Sequence, residues 1–217
     1  DGSCSGTAEI NRKMKVPAKL ILLALLALAL LGGGWWWHDR AQLRNAVVER
    51  LPVVPALENA STALRARIEA ADNKALSVES SREGLVELSR LYHANGYLDI
   101  AIQCYAGLAE LEPQEPRWPH LHASILAGFG QAAPALSLWQ QVSALAPDYL
   151  PARLRRADLL LKDNQADAAE AAYREVLELE RDNSWAQLGL ARIELEAENW
   201  QDARRRLERL VQSSNYR

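Results

Sequence analysis

The chain is poor in the residues that carry most protein chemistry. Its 217 residues include two cysteines, one methionine and four histidines. Cys4 and Cys104 are too few for a disulfide framework and lack metal-ligand spacing, so Cys104 is read as a small buried hydrophobe on a helix. The formal net charge is −3, without the basic excess of a nucleic-acid binder. There is no G-x-S-x-G, H-E-x-x-H, P-loop or Rossmann fingerprint. His120 and His122 are two apart, which points them to different sides of a helix, and the further ligands of a zinc site are missing. Glu178, Glu180 and the run Arg204, Arg205, Arg206 read as solvated helix faces. These absences exclude a catalytic constellation. The expectation is a non-enzyme with no cofactor, metal or small-molecule substrate.

What is present starts with bulk: 49% hydrophobic and 24% charged residues are enough for a folded core. Residues 20–37, LILLALLALALLGGGWWW, contain no charge. As a helix this run reaches about 27 Å, close to the roughly 30 Å hydrocarbon layer. Lys15 and Lys19 precede it, and Trp35, Trp36 and Trp37 close it at headgroup level. Residues 14–38 are therefore expected to be a transmembrane anchor with a cytoplasmic amino terminus. The alternative is a signal peptide whose apolar stretch ends at Leu31 and whose cleavage site falls at Gly32 to Gly34. Either exports the rest of the chain. Arginine outnumbers lysine and alanine is abundant, which hints at a GC-rich bacterial source. The expected location is the bacterial cytoplasmic membrane, single-pass, with the larger carboxy-terminal part on the periplasmic side. Residues 1–13 are polar and patternless. They are expected to be a disordered tail, or an over-extension upstream of Met14.

Residues 39–81 read as a stalk and a lead-in helix. A first helical stretch ends at Pro52 and Pro55 in LPVVP. A second is expected from about Ser61 to Leu76, with Leu64, Ile68 and Ala71 on one face and Ser61 or Thr62 as its cap.

Beyond Ser81 the chain repeats itself. Gly96, Ala101, Tyr105 and Pro113 recur 34 residues later as Gly130, Ala135, Trp139 and Pro147. Two further steps give Asn164, Ala169, Tyr173 and Arg181, then Glu198, Ala203, Leu207 and Asn215. A second small residue recurs at Ser89, Ala123, Ala157 and Ala191. This layout resembles the tetratricopeptide repeat family over residues 82–217, in units 82–115, 116–149, 150–183 and 184–217. The resemblance implies an all-α fold: a right-handed superhelical solenoid of about four antiparallel helix pairs, here preceded by the anchor. Small residues let helices approach, aromatics fill the gaps between units, and Gly96, Gly130 and Asn164 end first helices in the left-handed region. Departures from the pattern are Pro134 early in a second helix, His122 and Arg156 at a usual leucine place, and no glycine in the fourth unit.

The resemblance also implies a function. Partner contacts of the family fall at the second, fifth, ninth and twelfth places of a unit, on the concave side. Carried over, these places give Glu83, Val86, Ala127, Pro151, Leu154 and Leu195 together with the ten taken as candidate groove residues: Arg90, His93, Arg117, His120, Ser124, Asp158, Leu161, Trp185, Leu188 and Arg192. The amino-terminal half of this set is basic and polar and the other half more apolar, which suits an extended peptide with an acidic and a hydrophobic portion. The asparagine pair and lysines with which some members clamp a free carboxy terminus are absent. The expected function is a membrane-tethered scaffold for protein or peptide partners. The alternative is the amino-terminal part of a longer envelope enzyme or redox protein whose active domain lies after residue 217.

Overall fold

The computed structural model describes residues 18–212, without the side chains of Ala18 and residues 20–25. The tail expected over residues 1–13 lies outside these. The chain divides into two compact units, residues 1–42 and 43–217. All ten described elements are α-helices.

The described part of the first unit belongs to helix α1 (Ala18–Val48). Leu26, Leu28, Leu30, Leu31, Trp35, Trp36 and Trp37 are all exposed, and the Arg40 guanidinium sits 5.5 Å from the centre of the Trp36 ring. Among the described residues no helix is long and apolar enough to cross a membrane. The span expected over residues 14–38 falls partly outside that description, at residues 14–17 and the side chains of residues 20–25.

The second unit opens with the last turns of α1, where Val47 is fully buried. The segment expected to be a stalk thus contributes to a core. Leu43, Leu51 and Leu57 pack on that core, and Arg50 reaches Glu110 at 2.9 Å. Helix α2 (Thr62–Leu76) is capped by the Ser61 hydroxyl, which accepts from the Leu64 amide, and it buries Ile68, Ala71 and Ala75. Four hairpins come next: α3 (Ser81–Ala94) with α4 (Leu98–Leu111), α5 (Arg117–Gly128) with α6 (Ala132–Leu145), α7 (Leu150–Lys162) with α8 (Ala166–Leu179), and α9 (Ser184–Glu196) with α10 (Trp200–Gln212). The second helices start 34 residues apart.

One turn serves all four hairpins. Gly96, Gly130, Asn164 and Glu198 have φ of 80°, 76°, 57° and 60°. The next amide in each case bonds back to a carbonyl five residues earlier: Tyr97 to Tyr92, Gln131 to Leu126, Gln165 to Leu160 and Asn199 to Glu194. This left-handed stop satisfies carbonyls that the helix end would otherwise leave unpaired.

The periodic small residues lie where backbones meet. Ser89, Ala101, Ala123, Ala135, Ala157, Ala169, Ala191 and Ala203 have no exposed surface. At Gly84 a Cβ would stand 2.1 Å from the Ala75 backbone nitrogen, so α2 and α3 touch through their main chains. Aromatics bridge successive hairpins: Tyr105 stacks on Trp118 with ring centres 6.4 Å apart, and the Tyr173 ring lies against Gly189. The apolar interior forms three buried clusters in succession. The first gathers residues from Val47 through α2–α5, the next from α5–α7, the last from α7–α9. The departures fit this frame. Pro134 falls in the first turn of α6, where no intrahelical donor is lost, and Arg156 turns toward Glu175 of α8 at 3.4 Å.

Candidate functional site: a cleft along the first helices

The first helices of the first three hairpins carry the polar atoms on which the buried aromatics depend. The Tyr105 hydroxyl meets His93 Nδ1 at 2.9 Å. Trp139 Nε1–H donates to His120 Nδ1 at 3.1 Å. The Tyr173 hydroxyl donates to Asp158 Oδ1 at 2.6 Å. Each large ring buries its body between helices and delivers its polar tip to the face of the preceding first helix. Three of the candidate groove residues therefore have an internal task. Because His120 Nδ1 accepts a hydrogen bond, its ring proton resides on Nε2. Burial, and then the charge of Arg155, hold the His120 pKa below its ordinary value, so the ring is neutral at neutral pH.

Two clefts adjoin along α5, α7 and α9. The first, about 520 Å³, is lined by His120, Leu121, Ser124, Ala127, Gly128, Trp139, Arg155, Asp158, Leu159 and Lys162. The second, about 340 Å³, is lined by Asp158, Lys162, Trp185, Leu188, Gly189 and Arg192. Asp158 and Lys162 line both, so the two clefts lie side by side and together make up what is termed the channel. Six candidate residues meet in it: His120, Ser124, Asp158, Trp185, Leu188 and Arg192. The others do not line it. Leu161 is only 4% exposed and packs inside the α7–α9 core, so it is a core residue and not a groove residue. Arg117 is held by Glu115 at 3.0 Å, with its guanidinium 4.9 Å from the Trp118 ring centre. Arg90 is exposed, and His93 is taken by Tyr105.

Arg155 and Lys162 were not among the candidates, yet both line the channel. They stand at the sixth and thirteenth places of their unit. Second, sixth, ninth and thirteenth places form one helical stripe, just as second, fifth, ninth and twelfth do. In α7 the face follows the former stripe through Arg155, Asp158 and Lys162, while in α5 it takes in the fifth and twelfth places as well, through His120 and Ala127. Leu161 was the available signal: a leucine at the twelfth place beside a lysine at the thirteenth suits a helix turned to bury the first and expose the second.

The electrostatics of the channel are one-sided. Among the described residues Arg155, Lys162 and Arg192 make no hydrogen bond or ion pair, and Asp158 is the one carboxylate lining it. The basic groups of the first hairpin and its junction are differently placed. Arg82 is paired with Glu112, which also accepts from Trp118 Nε1 at 2.7 Å. Burial raises the Glu112 pKa, but the Arg82 and Trp118 hydrogen bonds outweigh it and the net shift is downward. Arg90 of the first hairpin is exposed and likewise makes no hydrogen bond or ion pair among the described residues, so unpaired positive charge stands on the first, third and fourth hairpins. Among the described residues no group of three His, Cys, Asp or Glu is placed to hold a metal ion.

Comparison with known proteins gives the same frame. Residues 160–214 match the tetratricopeptide repeat family model. A 64-residue stretch, 29% of this chain, is 39% identical to the human protein O-mannosyl-transferase TMTC3, of which it spans 7%. Among solved structures, YrrB, a TPR protein with an unusual peptide-binding site, is similar over 73% of this chain and 82% of its own, with 18% identity and a TM-score of 0.56. A thermophilic TPR protein of Thermus thermophilus is similar over 82% and 92%, with 19% identity and a TM-score of 0.54. The matched family model and the fold of these neighbours support placing the helical array of this chain among the tetratricopeptide repeats.

Proposed function

We propose that the chain is a membrane-tethered scaffold that holds a protein or peptide partner in the channel along α5, α7 and α9 and performs no catalysis of its own. The repeat domain is taken as residues 82–217, in four units of 34. The observation that carries the reading is the coincidence of three cations without ion pairs, Arg155, Lys162 and Arg192, with the exposed indole of Trp185. A partner segment with carboxylates over the cations and an apolar side chain against Trp185 and Leu188 matches that arrangement. Each exposed pairing is worth at most about 1 kcal/mol, so binding draws on several at once. The exposed leucines and tryptophans of α1 support the tether, and the lysines ahead of them support a periplasmic location for the repeats in a bacterial membrane. Tethering raises the local concentration of whatever the repeats hold. A second reading, that the repeats are the amino-terminal part of a longer envelope enzyme or redox protein, draws on the 39% identity of a 64-residue stretch to a protein named as a transferase.

One experiment tests tether and groove together. The full chain is mixed with liposomes and a fluorescent peptide carrying adjacent glutamates and a leucine, then floated on a density gradient. The chain is expected to float and to carry peptide. The variant Arg155→Ala/Lys162→Ala/Arg192→Ala is expected to float with at least tenfold less. Failure to float rejects the tether, and equal peptide on both proteins rejects the groove.

A further inference from the structure

The outward face of α10 differs from that of every other second helix. Helices α4, α6 and α8 are each covered by the first helix of the next hairpin. At the frame position of Tyr105, Trp139 and Tyr173, α10 carries Leu207. Leu207, Trp200, Val211 and Leu195 line an apolar cleft of about 410 Å³, with Arg204 and Glu208 beside them. Trp200 is 58% exposed and Val211 81%. Places 200, 207 and 211 fall on one stripe of the helix, and 204 and 208 along one flank of it.

We infer that this face pairs with the same face of a second copy, the two α10 helices antiparallel about a twofold axis near their midpoint. The charges choose this occupant. In an antiparallel pair of helices a given flank meets the same flank of its partner, running the other way. Arg204 of one copy then faces Glu208 of the second, and Glu208 faces Arg204. Within one chain these two already pair at 2.8 Å, so the twofold closes a ring of four alternating charges beside the apolar stripe. A parallel pairing offers no such match. In the same arrangement Trp200 lies beside Val211 of the second copy, and the two Leu207 side chains lie near the axis. This is self-complementarity of the kind a twofold interface requires, and it continues the hairpin-on-hairpin packing used inside the chain.

Sedimentation of the full chain in detergent, over a range of concentrations, tests it. Each paired helix is only about 20 Å long, so a reversible dimer with micromolar dissociation is expected, at the weak end of specific interfaces. Val211→Glu and Arg204→Glu are each expected to weaken it at least tenfold. The double variant Arg204→Glu/Glu208→Arg is expected to recover most of that loss, with helix content unchanged by circular dichroism. A monomer at every concentration overturns the inference. So does a dimer indifferent to either single variant, or a double variant no tighter than Arg204→Glu.

Discussion

Glu198 occupies the left-handed turn that glycine fills in the first two hairpins, at φ 60°. For a residue with a Cβ that conformation costs about 1–2 kcal/mol, partly offset because glycine is more disordered when unfolded. Glu198→Gly is expected to stabilise the fold by about 0.5–1 kcal/mol, read as a higher urea midpoint with an unchanged slope. No change would mean that the turn relaxes without strain. The 34-residue spacing made this position legible in the sequence: the neighbouring copies show glycine and asparagine, and the turn forms even where the fourth copy offers neither. The groove was less legible. A helical stripe can be drawn through the twelfth or the thirteenth place equally well, and spacing alone cannot say how far a helix is rotated about its axis. Leu161 was assigned to the groove and lies in the core, while Lys162, next to it, went unassigned. The internal bonds of His93, His120 and Asp158 were also invisible, because their partners stand twelve to nineteen residues away on another helix.

At the scale of elements, the hairpins are held by pairs of one large and one small residue. The Tyr173 ring lies so close to Gly189 that a Cβ there would stand 2.2 Å from Cζ. The ring cannot retreat, since it is fully buried and its hydroxyl is tied to Asp158. Gly189→Ala is therefore expected to destabilise the junction of α8 and α9 by about 1–3 kcal/mol. Thermal unfolding measures the loss, and a loss of tyrosine near-ultraviolet ellipticity before the main transition would locate it. A variant as stable as the parent would mean that the two helices slide apart freely. The sequence announced the aromatic and alanine places but not this glycine, which falls at the sixth place, where the other units carry Glu87, Leu121 and Arg155. Trp118 is the converse case. It stands where the other units have Gly84, Ala152 and Ala186, and the room it needs is taken beside Tyr105 and below Glu112.

Over the whole array, buried weak acids link stability to alkaline pH. Burial pushes the Cys104 thiol and the Tyr92 hydroxyl each up to about 12, and raises Tyr105 and Tyr173 as well. The fold favours the protonated forms. Their contribution is complete below the ordinary thiol and phenol values of about 9 to 10 and is lost as pH rises toward 12. A melting temperature level from pH 7 to 9 and falling beyond is expected by circular dichroism. A level profile to pH 12 would mean that water reaches these groups in the folded chain.

The three apolar clusters follow one another from α2 to α9, and α10, which buries Ala203 and Leu210, contributes no residue to them. The opposite end is anchored by Val47, α2 and the first hairpin together. Backbone amides of α10 are therefore expected to exchange with solvent sooner than those of α3, which buries eight residues.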